Sequence, residues 1–102
     1  MQTRFIKNVS AGTWNIILRK VPDQAIRERI KRGEFSALGV CQGLLADILV
    51  AGDMAEKSSN VWVAEIQGTC PQHIVCLGIF GDTSAVENAL EAVTCYGASE
   101  KN

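Results

Sequence analysis

A chain of 102 residues, 47% of them hydrophobic and 21% charged, has the size and composition of one globular domain. No run of about 18 apolar residues occurs, so we expect no membrane-spanning helix and no membrane partner. The net charge of −1 is unevenly divided, because eight of the ten Lys and Arg residues lie in residues 1–33. That basic segment carries no nucleic-acid-binding motif, so we expect no nucleic-acid partner.

The first part of the chain predicts an arm followed by a strand. Residues 1–12 form the arm, in which 3–7 are either a short strand or part of the arm, and a turn-like break follows at 8–12. Residues 13–19 are rich in β-branched and aromatic side chains, which favour a strand. We therefore expect the first regular strand of the sheet at 13–19.

A short basic helix follows this strand. Pro22 and Asp23 suit a helix start, and Gly33 suits its end. The remaining positions of the helix are mostly charged and are expected to face water. Its predicted apolar stripe consists of Ala25, Ile26 and Ile30.

The middle of the chain predicts a strand, a helix and a hairpin. Residues 36–41 form a short strand, and 44–57 form an amphipathic helix. Residues 61–66 and 73–80 form two strands joined by the loop 67–72. The apolar positions at helical spacing in the helix are Leu44, Leu45, Ile48, Leu49, Gly52 and Ala55.

The last helix begins at a capping-box pattern, Ser84 to Glu87. Residues 98–102 are a polar tail, expected to be flexible. The order of elements predicts an α+β domain with a single mixed, mainly antiparallel sheet and helices on one side of it. The predicted buried face of the last helix consists of Val86, Ala89, Leu90 and Val93, with Tyr96 as a further candidate.

No nucleotide-binding, zinc-binding or catalytic motif occurs, and the chain has one histidine, so we expect no enzyme activity. The first eight residues lack the apolar segment of a signal peptide, so the cysteines are expected to be reduced thiols or metal ligands. Cys41, Cys76 and Cys95 lie among apolar neighbours and are interpreted as small buried residues. Cys70 lies in the hairpin loop, either as a thiol without a role or as a functional one.

Residues 36–40, 44–61 and 81–92, with the hairpin between them, resemble the bacterial microcompartment shell domain. The preceding piece, residues 13–32, is similar to the strand and helix that usually end this domain, moved to the front. The chain therefore resembles the circularly permuted subclass, whose domain is ferredoxin-like. On this basis we expect an arm at 1–12, the permuted strand and helix at 13–33, the domain core at 34–97 and the tail at 98–102.

The resemblance implies a structural subunit of a microcompartment shell within the bacterial cytoplasm. Members form homohexamers that tile with other shell proteins, and the hairpin loop lines a central pore. Lys57 corresponds to a lysine at the contacts between hexamers. The implied pore-lining residues are Gly68, Thr69, Cys70, Pro71, Gln72 and His73.

The pore loop is similar to that of shell proteins from glycyl-radical propanediol compartments, in which a pore cysteine is associated with an iron–sulfur cluster. The resemblance therefore implies that Cys70 binds a cluster, of the 4Fe–4S type, shared between subunits at the pore. Such a site is oxygen-labile, so crystals grown in air are expected to lack the cluster. Two alternatives stay open: a shell tile with an unmetallated pore for small polar metabolites, and a cytosolic thiol-sensing or ligand-binding module.

Overall fold

The computed structural model describes the backbone of residues 1–68 and 74–100 and the side chains of residues 1–68 and 74–96. Four strands and four helices lie in this part of the chain. In chain order they are β1 (Gln2–Lys7), α1 (Ala11–Leu18), α2 (Gln24–Lys31), β2 (Ala37–Leu44), α3 (Leu45–Ser58), β3 (Trp62–Ile66), β4 (Ile74–Gly81) and α4 (Thr83–Glu100).

The strands form one sheet in the order β1-β2-β4-β3, and each neighbouring pair among them is antiparallel. The predicted α+β class with a mainly antiparallel sheet is confirmed. Pairing of Gln42 with Cys76, and of Cys76 with Ile66, sets the register where β3 ends and β4 begins. We call this the loop end of the sheet, because the β3–β4 loop leaves it.

Helices cover both faces of the sheet, so the prediction of helices on one side is wrong. α3 and α4 pack on the face that carries Cys41, Leu77 and Ile79. α1 and α2 pack on the opposite face, against Leu38 and Phe80. Successive strand residues point to opposite faces, and both sets are apolar in β2 and β4 because both faces are covered.

The predicted strand at 13–19 is also wrong, because this segment belongs to helix α1. The Ser10 hydroxyl accepts a hydrogen bond from the Thr13 amide at 3.2 Å and caps the helix. Trp14, Ile17 and Leu18 recur at helical spacing and pack together on the sheet. Burial of this apolar face overrides the β-branched composition of the segment.

At the start of the chain, the strand alternative for residues 3–7 is correct. Residues 2–7 are strand β1, which pairs with β2 along its whole length. α4 continues to Glu100, so the predicted tail at 98–102 is helical as far as that residue, and 101–102 lie outside the described residues. Ala25, placed in the apolar stripe of α2 by the sequence, is exposed, whereas Ile26 and Ile30 are buried as predicted.

Candidate functional site

The candidate site is the loop end of the sheet, from which the predicted pore loop leaves. Gly68 is described and exposed, whereas Thr69, Cys70, Pro71, Gln72 and His73 lie outside the described residues. Leu44, the last residue of β2, pairs with Ile74, the first residue of β4. Three strands and the start of α3 therefore fix the two stems of the loop.

The connection between α1 and α2 also reaches the loop end. The backbone amide of Gln67, the first residue after β3, donates a hydrogen bond of 2.7 Å to the carbonyl oxygen of Lys20. Arg19 and Lys20 are exposed, whereas the next residue, Val21, is buried. The sequence did not predict this contact, because it joins residues that are far apart in the chain and uses only backbone atoms.

The described cysteines are separated by the fold. Cys41 is fully buried between the sheet and α3–α4, and Cys76 is half-buried on the opposite face. Burial, with a smaller effect of the nearby Cys76 thiolate, raises the pKa of Cys41 to about 11, and burial also raises the pKa of Cys76. Cys95 is exposed on α4, so its predicted burial is wrong.

These thiols are poor candidates for a metal centre within one chain. A metal binds the thiolate, and a raised pKa disfavours that form in Cys41 and Cys76. In residues 1–68 and 74–96, no group of three or more His, Cys, Asp or Glu side chains is placed to hold a metal ion. The side chains of residues 1–68 and 74–96 therefore supply no complete metal site within one chain.

Lys57 lies in the last turn of α3, where the sequence placed it. Its ammonium donates to the Asp53 carboxylate at 2.7 Å, and both side chains are exposed. This hydrogen bond and the carboxylate charge raise the pKa of Lys57. The lysine is therefore a charged, accessible residue at the end of α3 remote from the loop.

The leucine patch, Leu44, Leu45 and Leu49, is exposed where β2 ends and α3 begins, although the sequence placed all three on the buried face of the helix. Their exposed fractions are 61%, 56% and 65%. Three large aliphatic side chains exposed together are typical of an interaction surface. The sequence does carry a signal of this exposure: the helix has more apolar positions than the face covered by the sheet can bury.

A groove of about 520 Å³ lies beside this patch, between α3 and the edge strand β3. Its apolar floor includes Ile48, Val63 and Leu77, and its rim carries Glu56 and Glu65. We call it the α3–β3 groove. It is open along the sheet edge at which β3 has no neighbouring strand.

A scan of protein families matches residues 37–102 to the BMC domain, which is more than half of the chain. No curated protein matches the sequence. No helix in the described part of the chain is apolar and long enough to span a bilayer.

Two solved structures share about a third of their residues with this chain. This chain is 30% identical to the ligand-free GrpU microcompartment shell protein from Pectobacterium wasabiae, with a TM-score of 0.71. The match covers 91% of this chain and 99% of that one. It is 31% identical to the GrpU shell protein from Clostridiales bacterium 1_7_47FAA, with a TM-score of 0.66 and coverages of 92% and 88%.

A third structure supports the permuted arrangement. The fused permuted hexameric shell protein from the RMM microcompartment is 19% identical, with a TM-score of 0.70, and the match covers 95% of this chain and 45% of that one. At this identity the likeness concerns the fold alone. With the family match, these findings show that the chain belongs to the BMC domain family and is a structural shell protein of a bacterial microcompartment, not an enzyme.

Proposed function

We propose that this chain forms a six-fold ring that serves as one tile of the shell, with the β3–β4 loops around its axis. The observation that carries this proposal is the exposed leucine patch beside the α3–β3 groove. A monomer in water gains nothing from three exposed leucines, whereas a neighbouring copy would bury them. The free-standing module is less well supported, because the chain belongs to a shell-protein family.

The two edges of the sheet suit such a ring. A closed ring of more than two copies needs two different surfaces on each chain that fit each other. The α3–β3 groove at one edge has an acidic rim, Glu56 and Glu65. The opposite edge is β1, which carries Arg4, Lys7 and the exposed side chain of Ile6. We infer that the β1 edge of one copy lies against the groove of the next.

Ring formation is tested with Leu49→Glu, and Ile16→Glu is the matched control. Both changes replace an exposed apolar side chain by a carboxylate, but Ile16 lies on the outer side of α1. We expect a six-chain species for the wild type and Ile16→Glu in native mass spectrometry, and monomers for Leu49→Glu. A six-chain Leu49→Glu protein would contradict the proposed interface, and a monomeric wild type would contradict the ring.

We further propose that the pore binds an iron–sulfur cluster through Cys70 from several copies. Four thiolates usually hold a four-iron cluster, and a six-fold ring offers six equivalent thiols although each chain contributes one. The raised pKa values of Cys41 and Cys76 leave Cys70 as the better ligand near the loop end. A bound cluster supplies one-electron redox chemistry. Placement in a compartment of the glycyl-radical propanediol type rests on the resemblance of the loop.

The cluster is tested by purifying Cys70→Ser without oxygen beside the wild type. Cys95→Ser is the control, because it removes an exposed thiol on α4. We expect brown colour, iron and sulfide in wild-type and Cys95→Ser rings, and their loss in Cys70→Ser rings. Iron retained in Cys70→Ser, or absent from wild-type rings, would favour the unmetallated pore for small polar metabolites.

A further inference from the structure

The connection between α1 and α2 brings positive charge to the loop end of the sheet. Residues 19–23 form this connection, and the hydrogen bond from the Gln67 amide to the Lys20 carbonyl oxygen fixes it against the stem of the loop. The contact uses the backbone of Lys20, so its ammonium group stays free to face solvent. Arg19 beside it is also exposed.

These charges are not neutralised within the described residues. Neither Arg19 nor Lys20 forms an ion pair there. The carboxylate of Asp23 accepts a hydrogen bond from the Ile26 amide at 3.2 Å and caps α2. A third cation, Arg27, is half-buried and donates to the carbonyl oxygens of Leu18 and Val21. Residues 19–27 thus carry three cations and one carboxylate at this place.

The positive charge lies on one face of the sheet. The α1–α2 connection is on the face that carries Leu38 and Phe80. On the other face, carboxylates lie near the loop end: Asp47 in the first turn of α3, and Glu65, which lines the α3–β3 groove. Met1, with the N-terminal ammonium, also lies against Gly43 there. The two sides of a ring would therefore differ in charge around the loops.

We propose that Arg19 and Lys20 form a positively charged mouth on the α1–α2 side of the pore, which selects small solutes bearing carboxylate or phosphate groups over cations. This inference rests on the proposed ring, because six copies bring twelve such side chains around one axis. Like charges that line a narrow opening reinforce one another and raise the local concentration of the opposite ion. At 0.1 M salt the Debye length is about 10 Å, which weakens the effect of the carboxylates on the other face of the sheet at the mouth.

A reporter thiol at Gly68 tests the sign of the field. A Cβ atom at Gly68 meets no atom within 4 Å, so cysteine fits there. Gly68→Cys is introduced with Cys70→Ser and Cys95→Ser, so that the reporter is the accessible thiol. Its rates of reaction with the anionic sulfonatoethyl and the cationic trimethylammonioethyl methanethiosulfonates are compared. The ratio of the two rates cancels the reactivity of the thiolate and leaves the effect of reagent charge.

The reporter protein is then combined with Arg19→Gln and Lys20→Gln. The control is Lys31→Gln with Arg32→Gln, which removes the same charge at the end of α2, away from the loop end and from the β1 edge. At about 20 mM ionic strength we expect the ratio of the anionic to the cationic reaction rate to fall about fivefold or more when Arg19 and Lys20 are removed. This is the effect expected of two unit charges that lie about 10 Å from the reporter in water. The control is expected to change the ratio less than about twofold.

Native mass spectrometry of each protein separates this inference from the proposed ring. Six-chain species with the expected fall in the ratio support the charged mouth. Six-chain species with an unchanged ratio, or with equal falls in both double variants, overturn it and leave the ring in place. Monomeric reporter protein whose parent is also monomeric overturns the ring, and the mouth with it.

Discussion

Among the glycines of the sheet, Gly78 is the one at which an added Cβ atom would meet the closest contacts. It lies in β4, and a Cβ atom there would stand 2.7 Å from Cζ of Phe80 and 2.9 Å from Cδ1 of Ile66. The Phe80 ring cannot retreat easily, because its centroid lies 6.2 Å from that of Trp14 and 5.4 Å from that of Phe35. The glycine is thus a packing requirement of the α1–α2 face.

We expect Gly78→Ala to lower the free energy of unfolding by about 1–3 kcal/mol, the usual cost of an overpacked site. Urea denaturation, monitored by tryptophan fluorescence at a single protein concentration, measures the free energy of unfolding of both proteins. Gly12→Ala is the control, since a Cβ atom in α1 at Gly12 meets nothing within 4 Å and alanine favours helix. A Gly78→Ala protein as stable as Gly12→Ala would show that the Phe80 cluster can rearrange freely.

At the scale of elements, α1 and α2 form a capped helix pair that covers one face of the sheet. Ser10 caps α1 and Asp23 caps α2, each through a side-chain oxygen that accepts a backbone amide hydrogen bond at 3.2 Å. Arg29 adds a contact to the sheet, because its guanidinium lies 4.6 Å from the centre of the Trp62 ring. The pair is therefore held by caps and by ring contacts as well as by its buried isoleucines.

Asp23→Ala is expected to lower the free energy of unfolding by about 1 kcal/mol, because the Ile26 amide loses its acceptor. Asp23→Asn is expected to cost only a few tenths of a kcal/mol, since the amide oxygen also caps a helix. Chemical denaturation of both variants checks the difference. Equal losses in the two proteins would point to the charge of Asp23, rather than its cap, as the source of stability.

At the scale of the whole molecule, α3 runs from the loop end toward the opposite end of the sheet. The leucine patch lies at its start, and Lys57 lies in its last turn. A ring with the loops at its axis would place the last turn of α3 at the rim. The ion pair of Lys57 with Asp53 is exposed, so its loss costs the chain little stability.

We therefore expect Lys57→Glu to leave six-chain rings intact and to weaken their assembly into flat sheets. The physical reason is that a carboxylate at the rim would repel Asp53 instead of pairing with it, and would reverse the charge of residue 57 at the contact with a neighbouring ring. Native mass spectrometry measures the rings and negative-stain microscopy the sheets. Lys31→Glu, an exposed charge reversal on α2, is the control, and sheets of Lys57→Glu as extensive as those of the control would contradict a role at the rim.

The elements whose pattern is complete within one segment follow from the sequence alone. In α4 the apolar positions Val86, Ala89, Leu90 and Val93 recur at helical spacing, and all four are buried as predicted. The hairpin of β3 and β4 was predicted for the same reason, because the β-branched and aromatic residues that favour a strand lie within each of its two segments. The resemblance built on these segments led to the shell-protein family, which the family match confirms.

Which surfaces of the helices and the sheet are buried depends on packing between segments that are distant in the sequence. Residues 13–19 form a helix because their apolar side packs on the far face of the sheet, and local composition does not encode that face. The leucine patch is exposed because nothing within the described part of the chain covers that side of α3. The Gln67–Lys20 hydrogen bond joins distant residues through backbone atoms that every residue possesses. Packing between segments decides these features, and the order of residues within each segment carries little information about them.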